Sequence, residues 1–434
     1  MFQYYSPEEV KWDDFEDLIL IPYKTDSKVH YTKSKISFIY FYDVDKKSDF
    51  IINCNHNDLV YNGTAWIKHI NPRGKVFSYN SYLLRSFGIK TYDIDLCSWL
   101  YTNDKIDINF NHYVHIYQNW YEKGKNINNI VPLVHLYVEC IEIRNKFLYL
   151  LNDIEIDKSF EFYNNGVLPV FDRFNEHEIK IDELIVEKIF NKKIPYINTT
   201  YNIFTTTGRP SNSTNGINLA ALNKKDGSRL MIKASDNSML VEFDYNSFQV
   251  NLIANLINYK FNTDNIHYYL GQQYFNKSVL TEEEYLESKN ITFQSIYGIT
   301  LPKYKNIDFI KKVNTYRNFK WKQFLDNGFV ELPISKRKLR KNNFNDINSN
   351  KLFNYIIQGT ETEINVITLN RLQKYLKDKS SKLILYTYDS FLFDINKDDG
   401  HNILGEIKTI LHYKNYKTKA TYGKSYNHME PIKI

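Results

Sequence analysis

The sequence predicts an α/β protein built from two successive parts, and three observations predict it. Residues 36–53, ISFIYFYDVDKKSDFIIN, form two runs of β-branched and aromatic residues around a charged turn, the pattern of a β-hairpin. MLVEFD reads as a strand followed at once by an amphipathic helix, and KLILYTYDSFLFDI as a second hairpin with Asp389 at its tip. Between these, EYLESKNITFQSIYG and IIQGTETEINVITLNRLQKYL carry helical periodicity, the first ending at Gly298 with Pro302 beyond it.

In the first part, SYLLRSFGI and VPLVHLYVECIEIRNKFLYLL space their apolar residues three and four apart and predict helices. After Asn164-Asn165-Gly166, VLPVFDRFNEHEIKID reads as helical, and TTTGRPSNSTNG reads as a loop dense in turn residues. A boundary is expected within 155–206. The division expected is 1–155, a connecting segment 156–206, and 207–434.

Composition narrows the class of protein. The 434 residues are 43% hydrophobic and 16% aromatic, with 36 Tyr and 28 Phe, enough to bury more than one core. Cys54, Cys97 and Cys140 are widely spaced and lack a CxxC pair, which argues against a disulfide framework or a zinc site and predicts a reducing compartment. The acidic start MFQYYSPEEVKWDD has no signal core, and no apolar run approaches the roughly eighteen residues of a membrane span, so a soluble cytoplasmic protein is expected. The net charge of +6 is modest, but Lys336–Lys341 is a basic run that reads either as a solvated turn or as a phosphate contact.

Two features carry chemistry. Asp244 and Asp389 each sit at a strand end. Singly, such an acid is ordinarily a cap or turn former; paired, two carboxylates that repel one another can hold divalent cations, as nucleotidyl transfer requires. Lys289, Phe293 and Tyr297 are spaced four and four on one predicted helix, which places a cation and two rings on one face. That face suits a nucleoside triphosphate, or it is an amphipathic helix with a snorkelling lysine.

In order along the chain, FDYNSFQVNLIA, KNITFQSIYG and LYTYDSFLF resemble motifs A, B and C of the family A DNA polymerases, the bacterial polymerase I and phage type. YINTTYNIFTTTGRPSNS, NYIIQGTETEI, DNGFVELPISKRKL and TYGKSYN resemble further segments of that family, so the resemblance runs from about residue 165 onward. It implies a right-hand polymerase fold, with an antiparallel palm sheet and helical fingers at about 255–325. It also implies an enzyme acting in the cytoplasm, a phage protein in its host's cytosol. Asp244, Asp389 and the Tyr245 carbonyl would bind two Mg²⁺ ions, with Mn²⁺ as a substitute. Lys289 and His267 would meet the incoming deoxynucleoside triphosphate, Phe293 and Tyr297 would pack on nucleotide and template, and Gln249 would press against the sugar. Arg209, Asn354 and Gln358 would touch the minor groove of primer-template DNA. The implied partners include a processivity factor or other replisome proteins, but no membrane.

Departures from the family pattern are specific. Gln249 stands where the family has Glu, Ser390 where motif C has its last acid, and Tyr285 and Asn350 where it has Arg. The stretch between Asp182 and Thr207 is short for the family's helical thumb. YNSYLLRSFGI and YDIDLCSWL resemble, more weakly, a ribonuclease H-like proofreading exonuclease, with Asp43 and Asp45 as its first acids. Asn80 stands where the second motif needs Asp, and only Glu139 is available for the last motif, so a degenerate nuclease is expected. The competing readings are a single-subunit RNA polymerase, a repair nuclease, and a nucleic-acid-binding protein with a retired polymerase site.

Overall fold

The computed structural model describes residues 3–25, 35–79, 81–106, 131–152, 154–194, 196–212, 217–298 and 300–434. Asn80 lies outside the described residues. The chain divides into two compact units, Met1–Asn165 and Gly166–Ile434.

The first unit is a five-stranded sheet of β1 (Leu18–Lys24), β2 (Ile36–Asp43), β3 (Ser48–Asn53), β4 (Val76–Ser78) and β5 (Tyr92–Asp93), in the order β3-β2-β1-β4-β5. β1, β2 and β3 are antiparallel neighbours, whereas β4 runs parallel to β1 and β5 parallel to β4. The expected hairpin of residues 36–53 is β2–β3. Every residue of β2 is buried, because the sheet is covered on both faces. Leu18, Leu20, Ile39, Phe41 and Phe50 share one core with Trp12 and Trp66, while on the other face Phe77 packs on Phe147 of the Leu133–Leu151 helix at 5.2 Å. That helix is pinned polar-side as well: Asp49 accepts hydrogen bonds from Tyr40 (2.9 Å), Tyr137 (2.8 Å) and Arg144 (2.8 Å).

In the second unit the expected helical stretch VLPVFDRFNEHEIKID is broken. A helix, Leu168–Glu176, ends at His177, and β6 (Glu178–Lys180) follows, paired with β7 (Tyr196–Asn198). Ile179 alone of the three residues of β6 is buried, and Asn198 donates to the carbonyls of Asn175 and His177, which otherwise have no helical partner. A helix at Glu183–Phe190, the short pair β8 (Tyr201–Asn202) and β9 (Ser211–Asn212), and 3-10 turns at Leu219–Ala221 and Ser228–Met231 precede the main sheet.

The main sheet contains β10 (Ser238–Tyr245), β13 (Lys382–Thr387), β14 (Ser390–Asn396), β15 (Thr418–Ser425) and β16 (His428–Ile432) in the order β13-β14-β10-β15-β16, with every neighbouring pair antiparallel. The hairpin β11 (Phe329–Glu331) and β12 (Lys338–Arg340) stands apart from it. The helix expected over IIQGTETEINVITLNRLQKYL starts earlier, at Ser349, where the Asn348 side chain caps it, and runs to Leu376. The EYLESKNITFQSIYG helix spans Glu282–Tyr297 and opens on a capping box between Thr281 and Glu284. The basic run Lys336–Lys341 is not one exposed track: Arg337 is buried and donates to the Thr206 carbonyl at 3.0 Å.

Candidate active site

Asp244 reaches the site from β10, where it pairs with Ser390 of β14 on one side and Lys419 of β15 on the other. Asp389 reaches it from the two-residue turn that joins β13 to β14. The turn is held firmly. Tyr388 sits at φ 63°, its carbonyl accepts a 2.6 Å hydrogen bond from Asn365, and its ring lies 3.6 Å under the Arg209 guanidinium. The Tyr245 N–H donates to the Asp389 carbonyl at 2.9 Å, which locks the two acid-bearing segments together.

The electrostatics follow from that closeness. Burial raises the Asp389 carboxyl above the ordinary range and the charge of Asp244 raises it further, while Asp244 is raised by burial and pulled back by Lys419. The Lys419 ammonium stands 3.2 Å from Asp244 Oδ1, a cation placed where the carboxylates need one.

Both acids line a cleft of about 570 Å³ that also receives Lys289, Phe293, His267, Gln249 and Tyr245. The Glu282–Tyr297 helix does present the expected face: the Phe293 and Tyr297 rings lie nearly parallel at 8°, 6.4 Å apart. Tyr285 covers Lys289, with the ammonium 4.5 Å from its ring. His267 packs 5.7 Å from Phe293, and burial, then the charge of Lys289, pushes its imidazole down to about 4, so it is neutral at physiological pH. Gln249 is bonded to Tyr297 and to Glu361.

Arg209, Asn354 and Gln358 are not among the residues that line this cleft. Arg209 stacks on Tyr388 and approaches Glu361 at 3.6 Å. Asn354 and Gln358 bond to each other at 2.9 Å along the Ser349–Leu376 helix. Asn350 accepts a 2.8 Å hydrogen bond from Arg317, which also donates to the carbonyls of Ser295 and Ile296 and so steadies the end of the Glu282–Tyr297 helix.

In the first unit the structure does not bring the expected acids together. Asp43 pairs with Leu18 at one end of β1, and its Oδ1 accepts from the backbone N–H of Asp45 and of Lys46, making it a turn former. Asp45 is exposed on that turn. Glu139 accepts from Tyr23, whose strand partner Phe38 lies five residues, roughly 17 Å of strand, from Asp43 along β2. β1 itself, LILIPYK, carries no acid.

Three residues of the second-unit site were not anticipated. Lys419 carries no local signal; only the pairing of β15 with β10 reveals it. Glu242, two residues before Asp244, accepts from Ser390 (2.6 Å) and Tyr426 (2.8 Å), so a third carboxylate stands beside the turn that carries Asp389. Glu361 directly follows the Q-G-T segment, and burial raises its carboxyl to about 7. Among the described residues no group of three or more His, Cys, Asp or Glu side chains is arranged to hold a metal. The cleft offers a carboxylate pair instead.

Compared with solved structures, the fold is similar to that of the POL domain of Pol1 from M. smegmatis, solved in complex with a DNA primer-template and dNTP. The TM-score is 0.68 at 13% identity, over 95% of this chain and 96% of that one. At that identity the likeness is one of fold. No protein-family model and no curated protein matches the sequence. No helix among the described residues is long and apolar enough to cross a membrane.

Proposed function

We propose that the chain is a template-directed DNA polymerase that adds deoxynucleotides to a primer 3′ hydroxyl, with its palm and fingers within 207–434. One observation carries the reading: Asp244, Asp389, Lys289, His267 and Phe293, scattered through the sequence, line one cleft. The M. smegmatis domain was solved with primer-template and dNTP, and the same partners are proposed here.

The residues fit divalent cations. Burial, then the charge of Asp244, raises the cost of ionising Asp389, and an ammonium already sits against Asp244. Asp244, Asp389 and the Tyr245 carbonyl would hold two Mg²⁺ ions, or Mn²⁺, whose charge when bound favours nucleotidyl transfer. The chain's own part is positioning. Lys289 lines the same cleft as the acids and would draw the triphosphate across it. The neutral His267 supplies a hydrogen-bonding ring without adding repulsion to Lys289. Phe293 and Tyr297 offer a flat surface for a base, and Arg209, stacked on Tyr388, would approach the terminal base pair.

In the same reading the first unit is a ribonuclease H-like layer without a working nuclease site. Its strand order supports the scaffold, and the dispersal of Asp43 and Glu139 supports the loss. The short Glu183–Phe190 helix supports an abbreviated thumb, with weak, salt-sensitive grip on the duplex and help from a processivity partner. Primer extension with separate deoxy- and ribonucleotide pools, on DNA and RNA templates, with Mg²⁺ or with EDTA, tests the proposal. Extension confined to deoxynucleotides, DNA template and Mg²⁺ is expected. Extension with ribonucleotides only would move the assignment to an RNA polymerase, and none under any condition would end it.

A further inference from the structure

Gln249 is held at both ends of its amide. Its Oε1 accepts a 2.7 Å hydrogen bond from the Tyr297 hydroxyl, and its Nε2 donates at 2.9 Å to Glu361 Oε2. The three residues belong to three different helices, Phe248–Leu256, Glu282–Tyr297 and Ser349–Leu376, so the amide ties them together at the wall of the cleft. Glu361 is 1% exposed, and no step of the chemistry described above uses it. Its Oε1 has no hydrogen-bond partner and faces Arg209 at 3.6 Å. A buried acid is costly to keep, and here its Oε2 meets a residue of the cleft wall.

An amide engaged at both ends cannot turn to greet a ligand. It presents a fixed flank, with neither end free to swing toward a hydroxyl brought beside it. A site recruits a hydroxyl by offering it a partner, and rejects it by offering bulk without one. The identity of residue 249 and that of residue 361 are also interdependent. An acid at 249 would face the Glu361 carboxylate at hydrogen-bonding distance and repel it, whereas an amide binds it.

We propose that Glu361 is a positioning residue that clamps Gln249 as a rigid wall beside the nucleotide sugar and thereby selects deoxyribonucleotides over ribonucleotides. The inference rests on the polymerase reading and extends it, because it assigns sugar selection to an acid buried in the helix behind the cleft. The two positions form one unit, and neither is expected to work alone.

The test is single-turnover incorporation of a deoxynucleotide and its matching ribonucleotide opposite the same template base, by the full chain with Mg²⁺. Glu361→Leu removes the clamp and is expected to lower the deoxy-to-ribo ratio of kcat/KM by about tenfold, mainly through a lower KM for the ribonucleotide. Glu361→Gln keeps an acceptor for Gln249 and is expected to hold the ratio within about threefold of the parent. Gln249→Glu alone should disturb the ratio, and Gln249→Glu combined with Glu361→Gln should restore it, a rescue that a merely structural role does not produce. Should Glu361→Leu fail to fold, this second pair decides the same point. A parental ratio in Glu361→Leu, or no rescue by the double variant, overturns the inference. A parent protein that adds neither nucleotide overturns the polymerase reading beneath it, and the parent lane alone distinguishes that failure from the first.

Discussion

Tyr388 takes a left-handed backbone at the turn that carries Asp389, where glycine or asparagine is the usual occupant. The cost is accepted because the Arg209 stack and the Asn365 hydrogen bond hold the turn, and with it the carboxylate, in one place. Both acids are raised by burial, which means that the folded chain binds a proton more readily than the unfolded one. Each acid therefore opposes folding at neutral pH, and that penalty disappears as pH falls below the unfolded carboxyl range. Asp389→Asn and Asp244→Asn are accordingly expected to lower primer extension by at least about a thousandfold while melting no lower than the parent at pH 7. Steady-state extension and calorimetry check the two halves of that statement separately. Lys289→Ala is expected to lower kcat/KM for the incoming nucleotide by about a hundredfold or more and to leave the primer-template Kd unchanged, because its ammonium faces the cleft. Lost DNA affinity with normal nucleotide kinetics would place that lysine elsewhere.

Among the elements, the Ser349–Leu376 helix departs furthest from an ordinary amphipathic pattern. From Gly359 to Val366 every residue is buried, including Thr360, Glu361, Thr362, Glu363 and Asn365. A Cβ at Gly359 would lie 2.7 Å from the Leu332 side chain and 3.2 Å from the Thr207 carbonyl, so the glycine lets two neighbouring segments close on the helix. Gly359→Ala, which would stabilise an exposed helix, is expected here to destabilise by about 1–3 kcal/mol, read from the midpoint of urea unfolding. This helix also marks the limit of what a sequence discloses. Its existence was legible, as were the hairpin tip at Asp389 and the shared face of Lys289, Phe293 and Tyr297, because these depend on periodicity and turn chemistry within one segment. Glu361 and Lys419 were not, because their meaning lies in Gln249 and Asp244, more than a hundred residues away in the chain. The break after Glu176 is not legible in the sequence for a related reason: β6 exists because β7 pairs with it, and nothing inside the sequence 168–182 specifies that partner. Asp43, a candidate first acid only through the exonuclease resemblance, accepts from the backbone of the turn that follows β2, a partner that a motif match does not disclose.

At the scale of the whole molecule, the two compact units divide at Asn165. The first unit supplies a sheet covered on both faces, and it sets Asp43 and Glu139 apart along that sheet. A mismatched primer incubated with Mg²⁺ or Mn²⁺ and no nucleotides is therefore expected to keep its length. Efficient shortening, lost when Asp43 and Asp45 are changed to Ala, would restore the nuclease assignment. The second unit has a different property. β10, the strand that bears Asp244, is flanked by β14 and β15, and both lie beyond residue 389. On the ribosome, therefore, the central strand emerges long before either neighbour, with both of its hydrogen-bonding edges open and apolar residues on it waiting for cover. The first unit has its described sheet strands complete once β5 is synthesised, whereas the second must wait for β14 and β15. Nascent chains stalled before β14 should thus carry a protease-resistant first unit and a second that binds chaperones, so that the vulnerable interval runs from the synthesis of β10 to that of β15.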